Sequence, residues 1–205
     1  MMNKRFIGRL CLALGVAELL LVILSWLLSA TRLEGVRSLI SSEGIRWFVG
    51  EFTYMLASPL LVWLLLLMTA VGCLQRSGLL SLLKPRTSSL TYRDRVALRV
   101  AVAFIVIYAA IICLLTLMPH AILLSATGSL FPSAFSRALV PILAFGLCLL
   151  SISFGMVSGR LRTLTDILDA LTLGIQQGAP LFILYIMLIQ FFQSIIFVFY
   201  SFIRP

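Results

Sequence analysis

Groups that do chemistry are scarce in this chain. Its 205 residues hold only seven Asp and Glu and one His, at no spacing that builds a reaction centre. There is no Ser/His/Asp set, no pair of catalytic carboxylates, no glycine-rich phosphate loop and no H-E-x-x-H, so enzyme chemistry has no support in the sequence. The lone His120 follows Pro119 without Cys, Asp or Glu at ligand spacing, which makes it a surface-loop histidine rather than a metal ligand. Cys11, Cys73, Cys113 and Cys148 all fall in or beside apolar runs, with no C-x-x-C spacing. They support neither a zinc site nor a disulfide framework and are read as small packing residues. No metal and no cofactor is expected.

Charge of either sign is thin as well, at 11% of the chain, while 61% is hydrophobic and mean hydropathy is +1.14. Soluble domains run at about 45–50% apolar and about 25% charged, and a soluble fold could not hide this much hydrocarbon. The expected fold class is therefore all-α, a polytopic integral membrane protein. A formal net charge of +9 invites nucleic acid as a partner. The basic residues, however, sit in short loops beside apolar spans, where they report topology and contact with anionic lipid. The lipid bilayer is the expected partner, and nucleic acid is not.

A helix needs about 20 apolar residues to cross a bilayer. Five such spans can be placed: about Leu10 to Ala30, Met55 to Leu74, Val96 to Met118, Ala138 to Val157 and Pro180 to Phe202. The first follows Met-Met-Asn-Lys-Arg but lacks a small-x-small cleavage pattern before a soluble domain, so it reads as a retained helix and not a signal peptide. Pro59 and Pro141 fall near the starts of their helices, where a missing N–H costs least. Eleven of the sixteen Lys and Arg (Lys4, Arg5, Arg9, the group from Arg76 to Arg99, and Arg160 with Arg162) share one side. Arg32, Arg37, Arg46, Arg137 and Arg204 share the other. The positive-inside tendency then predicts an inner (plasma) membrane protein with a cytoplasmic N-terminus and, after an odd number of crossings, an outer C-terminus.

Two connections carry helical patterns of their own. From Arg160 to Gln177, Leu161, Leu164, Leu168, Leu171 and Ile175 recur at helical spacing, with Arg162, Asp166, Asp169 and Gln176 on other faces. This predicts an amphipathic helix at the cytoplasmic interface, broken by Gly178 and Pro180 before the last span. Asp166 and Asp169 read as a solvated face with one Arg162–Asp166 pair at i,i+4. On the other side, Ser38 to Glu51 reads as a short outer interfacial helix with Trp47 as its anchor at the water boundary.

A few polar residues inside the spans are candidates for function. Glu18 lies about 12 Å into the first helix by the 1.5 Å rise per residue. A charge there costs at least about 2.5–3.5 kcal/mol, so Glu18 is expected to be neutral, paired or facing a wet cavity. A neutral carboxyl bonded to a neighbouring helix and a proton-coupling or partner-docking role both fit. Gln190 and Gln193 lie three apart on one face of the last helix, with Tyr185 near them in sequence. Amides in lipid need partners, and helix or subunit pairing is favoured over substrate contact. Gly155 and Gly159 form a small-x-x-x-small pair that permits close helix packing.

The stretch Leu39-Ile-Ser-Ser-Glu-Gly-Ile-Arg-Trp-Phe48, followed by an apolar helix ending Gly72-Cys-Leu-Gln-Arg-Ser-Gly-Leu-Leu80, resembles the N-terminal part of the AbgT (p-aminobenzoyl-glutamate) transporter family. Leu90-Thr-Tyr-Arg-Asp-Arg-Val-Ala-Leu-Arg99, the Val140-Pro-Ile-Leu helix with Gly155, Gly159-Arg-Leu-Arg162 and Ile189-Gln-Phe191 resemble the start of that family's second half, in the same order. The resemblance divides a single membrane domain into blocks 1–84 and 90–205. Members of the family are about twice as long and place helical hairpins between and after these blocks; here only Leu82 to Ser89 joins them. Substrates of such carriers bind where discontinuous helices expose their ends near the midplane. The resemblance thus implies a transport protein reduced to its scaffold and dimerisation framework. It would handle a small organic anion only as a homodimer or with another membrane protein. The alternative is a non-transporting scaffold or accessory subunit of a membrane complex.

Overall fold

The structure, a computed structural model, describes residues 4–31, 35–80, 91–117 and 134–199. His120, the Leu82 to Ser89 connection, the expected span ends at Met118 and Phe202, and the loop cations Arg32, Lys84, Arg86 and Arg204 lie outside the described residues. Seven helices form among the described residues: α1 (Lys4–Ala30), α2 (Ser42–Gly50), α3 (Phe52–Leu56), α4 (Pro59–Ser77), α5 (Tyr92–Leu117), α6 (Ala134–Ser158) and α7 (Leu164–Val198). Five of them, α1, α4, α5, α6 and α7, are long and apolar enough to cross a membrane, and no strand occurs among the described residues. Their outward faces are hydrocarbon: on α1 alone Leu12 is 72% and Leu19 65% exposed. Water tolerates such a continuous apolar surface poorly, whereas lipid is its matched solvent.

The largest departure from the sequence-based expectation is α7. Gly178 and Pro180 do not break it; one helix of 35 residues runs through both. Proline removes one N–H and crowds the carbonyl four residues back. Unwinding the chain there would strand several more backbone groups away from water, so a bilayer favours carrying the helix through. Pro141 behaves alike: α6 starts at Ala134, so this proline lies inside the helix and not in its first turn. Pro59 does occupy the first position of α4, where its missing N–H is harmless.

The start of α7 corrects a second expectation. Arg162 precedes the helix, and its side chain turns back, Nε donating to the Gly159 carbonyl at 2.9 Å. It is the Arg162 backbone N–H that donates to Asp166 Oδ2, at 3.0 Å, beside the Thr163 N–H at 2.9 Å. The Asp166 N–H donates in turn to Thr163 Oγ1 at 3.1 Å. Asp166 is therefore half of a reciprocal capping box, satisfying helix-start donors, rather than one end of a surface ion pair.

The chain divides into two compact units, Met1–Val62 with Gly178–Pro205, and Trp63–Gln177. In the first, α1 and the last part of α7 run parallel: Gly15 faces Met187, Glu18 bonds Ser194, and Leu21 and Val22 pack on the Phe197–Val198 cluster. In the second, α5 and α6 run antiparallel, Tyr108 donating to the Ile142 carbonyl at 2.9 Å while Ala97 and Ala101 pack with Phe154. Within this unit α4 and α7 approach so closely that a Cβ on Gly72 would strike the Gly174 backbone, and one on Gly174 the Met68 carbonyl. Buried Ala170 and Gly174 form that small stripe at four-residue spacing.

Arg160 ties the ends of three helices together in the second unit. It donates to the Ser77 carbonyl at the end of α4 (3.2 Å), pairs with Asp94 in the first turn of α5 (3.6 Å) and lies 5.7 Å from the Phe154 ring centroid of α6. A cation at a helix C-terminus is favoured by the exposed carbonyls there.

Gly155 and Gly159 are placed differently from this stripe. Gly159 has φ +78° and closes α6: the Arg160 N–H donates to the Gly155 carbonyl at 2.9 Å and the Gly159 N–H to the Met156 carbonyl at 3.1 Å. This is a Schellman cap, with Leu161 folded back over Gly155. The contrast is measurable. Gly174→Ala should cost about 2 kcal/mol, within the usual range for overpacking a tight contact. Gly155→Ala meets side-chain atoms of the buried Leu161, Cγ at 2.8 Å, and no backbone, and it gains about 0.8–1 kcal/mol of helix propensity, so it should cost less than Gly174→Ala. Unfolding of both variants in detergent, followed by ellipticity, checks the order.

Candidate functional site

A polar seam lies between α1 and α7 in the first unit. Glu18 Oε1 accepts a hydrogen bond from Ser194 Oγ at 2.6 Å, and Ser194 is fully buried. Glu18 is thus hydrogen-bonded to a neighbouring helix. One hydroxyl supplies one donor, and Glu18 Oε2 is buried with no hydrogen-bond partner among the described residues. Gln190 stands one turn before Ser194 on the same face, 8% exposed, with both its amide oxygen and nitrogen buried and likewise unpartnered. Three strong polar atoms on one seam thus lack partners. Orphans of this kind are costly in an apolar interior and call for a complement from outside the pair of helices.

Other sequence candidates serve packing. The Tyr185 hydroxyl lies 2.6 Å from Ser58 Oγ and donates to the Leu56 carbonyl at 3.1 Å, closing the end of α3 where the chain turns into α4. Gln193 is half-buried on a neighbouring face of α7. Trp47 of α2 stacks on Phe197 of α7 with ring centroids 4.4 Å apart, and Arg37 Cζ stands 6.0 Å from the same ring. Arg37 also pairs with Glu43 at 3.1 Å, and its N–H donates to the Val198 carbonyl at 3.1 Å. The Ser38–Gly44 turn that leads into α2 is capped by Ser41, whose Oγ accepts the Gly44 N–H at 3.0 Å.

Two residues of the seam escaped sequence reasoning. Ser194 is the donor to Glu18, and Ser25, fully buried, accepts the Leu39 N–H at 3.2 Å while donating to the Val22 carbonyl at 2.8 Å. The available signals were spacing: Ser194 lies four after Gln190, and Ser25 seven after Glu18, so each shares a helical face with a stronger polar group. Among the described residues, no group of three His, Cys, Asp or Glu stands close enough to hold a metal ion.

Comparison of the chain with family models, with characterised proteins and with solved structures gave no match. The seam must be read on its own geometry.

Interhelical hydrogen bonds in membranes average about 0.6 kcal/mol and reach about 1.7. A double-mutant cycle of Glu18→Ala and Ser194→Ala, scored by unfolding in detergent, should return a coupling in that range. Glu18→Gln keeps an acceptor for Ser194 and should retain most of it.

Proposed function

We propose that the chain is the framework of an AbgT-like membrane transport protein, acting as a homodimer or with another membrane protein in moving a small organic anion. The observation that carries this reading is the unsatisfied Glu18 Oε2 and Gln190 amide on one buried seam. Polar side chains kept without partners inside membrane-length helices need water, a solute or another chain to complete them. The distribution of Lys and Arg supports an inner membrane location with a cytoplasmic N-terminus. The parallel run of α1 and α7 supports first and last crossings of one direction. At 1.5 Å per residue α7 is about 52 Å long, well beyond a hydrocarbon core of about 30 Å. That excess supports a cytoplasmic interfacial position for its first turns, where Asp169 and Gln176 are exposed. Exposed Ile45, Arg46, Phe48 and Val49, which flank Trp47 in α2, support an outer interfacial position for that helix.

A second reading, a non-transporting scaffold or accessory subunit, is favoured by the continuity of α7. Carriers present substrates with the bare ends of interrupted helices. Here the helix at Pro180 stays whole, and Tyr185 already covers the Leu56 carbonyl at the α3 end.

Uptake of p-aminobenzoyl-glutamate into proteoliposomes separates the two. The transport reading expects uptake above empty vesicles, lowered about tenfold or more by Glu18→Leu or Gln190→Leu while the purified oligomer is unchanged. Absence of uptake, together with dissociation of the oligomer or of a fixed partner in the same variants, overturns it in favour of the scaffold.

A further inference from the structure

The second unit contains a cleft whose chemistry is the reverse of the seam. It has a volume of about 370 Å³, and Leu66, Phe104, Phe145, Leu149, Ile152 and Leu171 line it. Its few polar side chains are already matched inside the protein. Thr69 Oγ1 donates to the Leu65 carbonyl at 2.9 Å, Ser153 Oγ to the Leu149 carbonyl at 2.7 Å, and Cys148 packs on the cluster of buried Cys73. A wall with no unmatched donor selects hydrocarbon over a polar solute. Along α6 the cleft extends from Ala144 to Met156, about 18 Å by helical rise, close to the depth of one leaflet of a hydrocarbon core about 30 Å thick.

The Met156 end of this cleft is cationic. Three residues on, at Gly159, the Arg93 and Arg162 guanidiniums converge: Arg93 Nη1 and Arg162 Nε lie 3.9 and 4.0 Å from the position a Cβ would take. Both side chains are exposed. Neighbouring Arg160 is engaged with Asp94 and the Ser77 carbonyl, and Asp166 with the start of α7, so the nearby acids are already drawn into other contacts. Two like charges brought together at the mouth of an apolar slot favour an anion there, and guanidinium matches phosphate oxygens in geometry and charge.

We propose that this cleft is a lipid site, holding one acyl chain of an anionic glycerophospholipid whose phosphate rests on Arg93 and Arg162. The inference is independent of the transport reading, since it uses residues of the second unit alone. The full chain, purified in mild detergent, is presented with equal amounts of phosphatidylglycerol and phosphatidylethanolamine of the same chain length, and bound lipid is counted by native mass spectrometry. Phosphatidylglycerol should be retained about tenfold over phosphatidylethanolamine, and the double variant Arg93→Gln with Arg162→Gln should erase that preference while retention of phosphatidylethanolamine and the helical ellipticity stay as in the unaltered chain. Ile152→Trp, or Thr69→Leu should the first fail to fold, should lower retention of both lipids by narrowing the slot. Equal retention of the two lipids by the unaltered chain overturns the site. So does undiminished preference in the arginine variant, or displacement of lipid by deacylated glycerophosphoglycerol alone, which would reduce it to a surface anion contact.

Discussion

In hydrocarbon a backbone N–H or C=O without a partner costs several kcal/mol, because no water stands by to replace it, and this requirement shapes every described element of the chain. It explains why α7 passes through Gly178 and Pro180. Losing one hydrogen bond at a proline is cheaper than unwinding the turns around it. It also explains where the buried hydroxyls go. Tyr185 reaches the Leu56 carbonyl at the end of α3, and Ser25 receives the Leu39 N–H where the chain folds back beside α1. Such side chains act as substitutes for missing backbone partners, which restricts what else they can do.

The same requirement decides what was legible in the sequence. Membrane-length helices announce themselves through uninterrupted apolar runs, so all five were readable, with ends displaced by a few residues except at α7, which starts at Leu164 and not at Pro180. The break expected at Gly178 and Pro180 was not, because the turn signals used for soluble chains assume that water will take up the freed groups. The need of Glu18 for a partner was equally readable from its position. Its partner was not, since a serine is tolerated almost anywhere in a membrane helix and Ser194 differs from others only in where it faces.

Glycine spacing gives a sharper case. Gly155-x-x-x-Gly159 and Ala170-x-x-x-Gly174 share one pattern, yet the first belongs to a helix cap and the second borders a close crossing. The distinguishing feature lies outside the pattern. After Gly159 comes Arg-Leu-Arg, which ends the apolar run, so a positive φ can close the helix there; after Gly174 the helix goes on. Charge is subject to the same ambiguity. Arg160 and Arg162 weigh equally in a count of basic loop residues, but Arg160 is drawn onto Ser77 and Asp94, whereas Arg162 turns to the Gly159 carbonyl at the surface. Topology counting registers both as one signal, although only position separates a cation drawn into the helix ends from one left exposed.

The two units solve the problem of polar atoms in opposite ways. In the second, Thr69, Thr116 and Ser153 return their hydroxyls to carbonyls four residues back on their own helices, so that these three behave as apolar surface. A carboxyl or an amide cannot be handled so. It carries acceptor oxygens that need donors, and its own helix has none to spare, because each N–H there is already bonded to the carbonyl four residues back. Glu18 and Gln190 therefore cannot be silenced locally, and with one contact from Ser194 between them they remain the place where the first unit demands something further. The unmatched polar atoms of the carboxyl and the amide thus lie in the first unit, and the apolar cleft in the second.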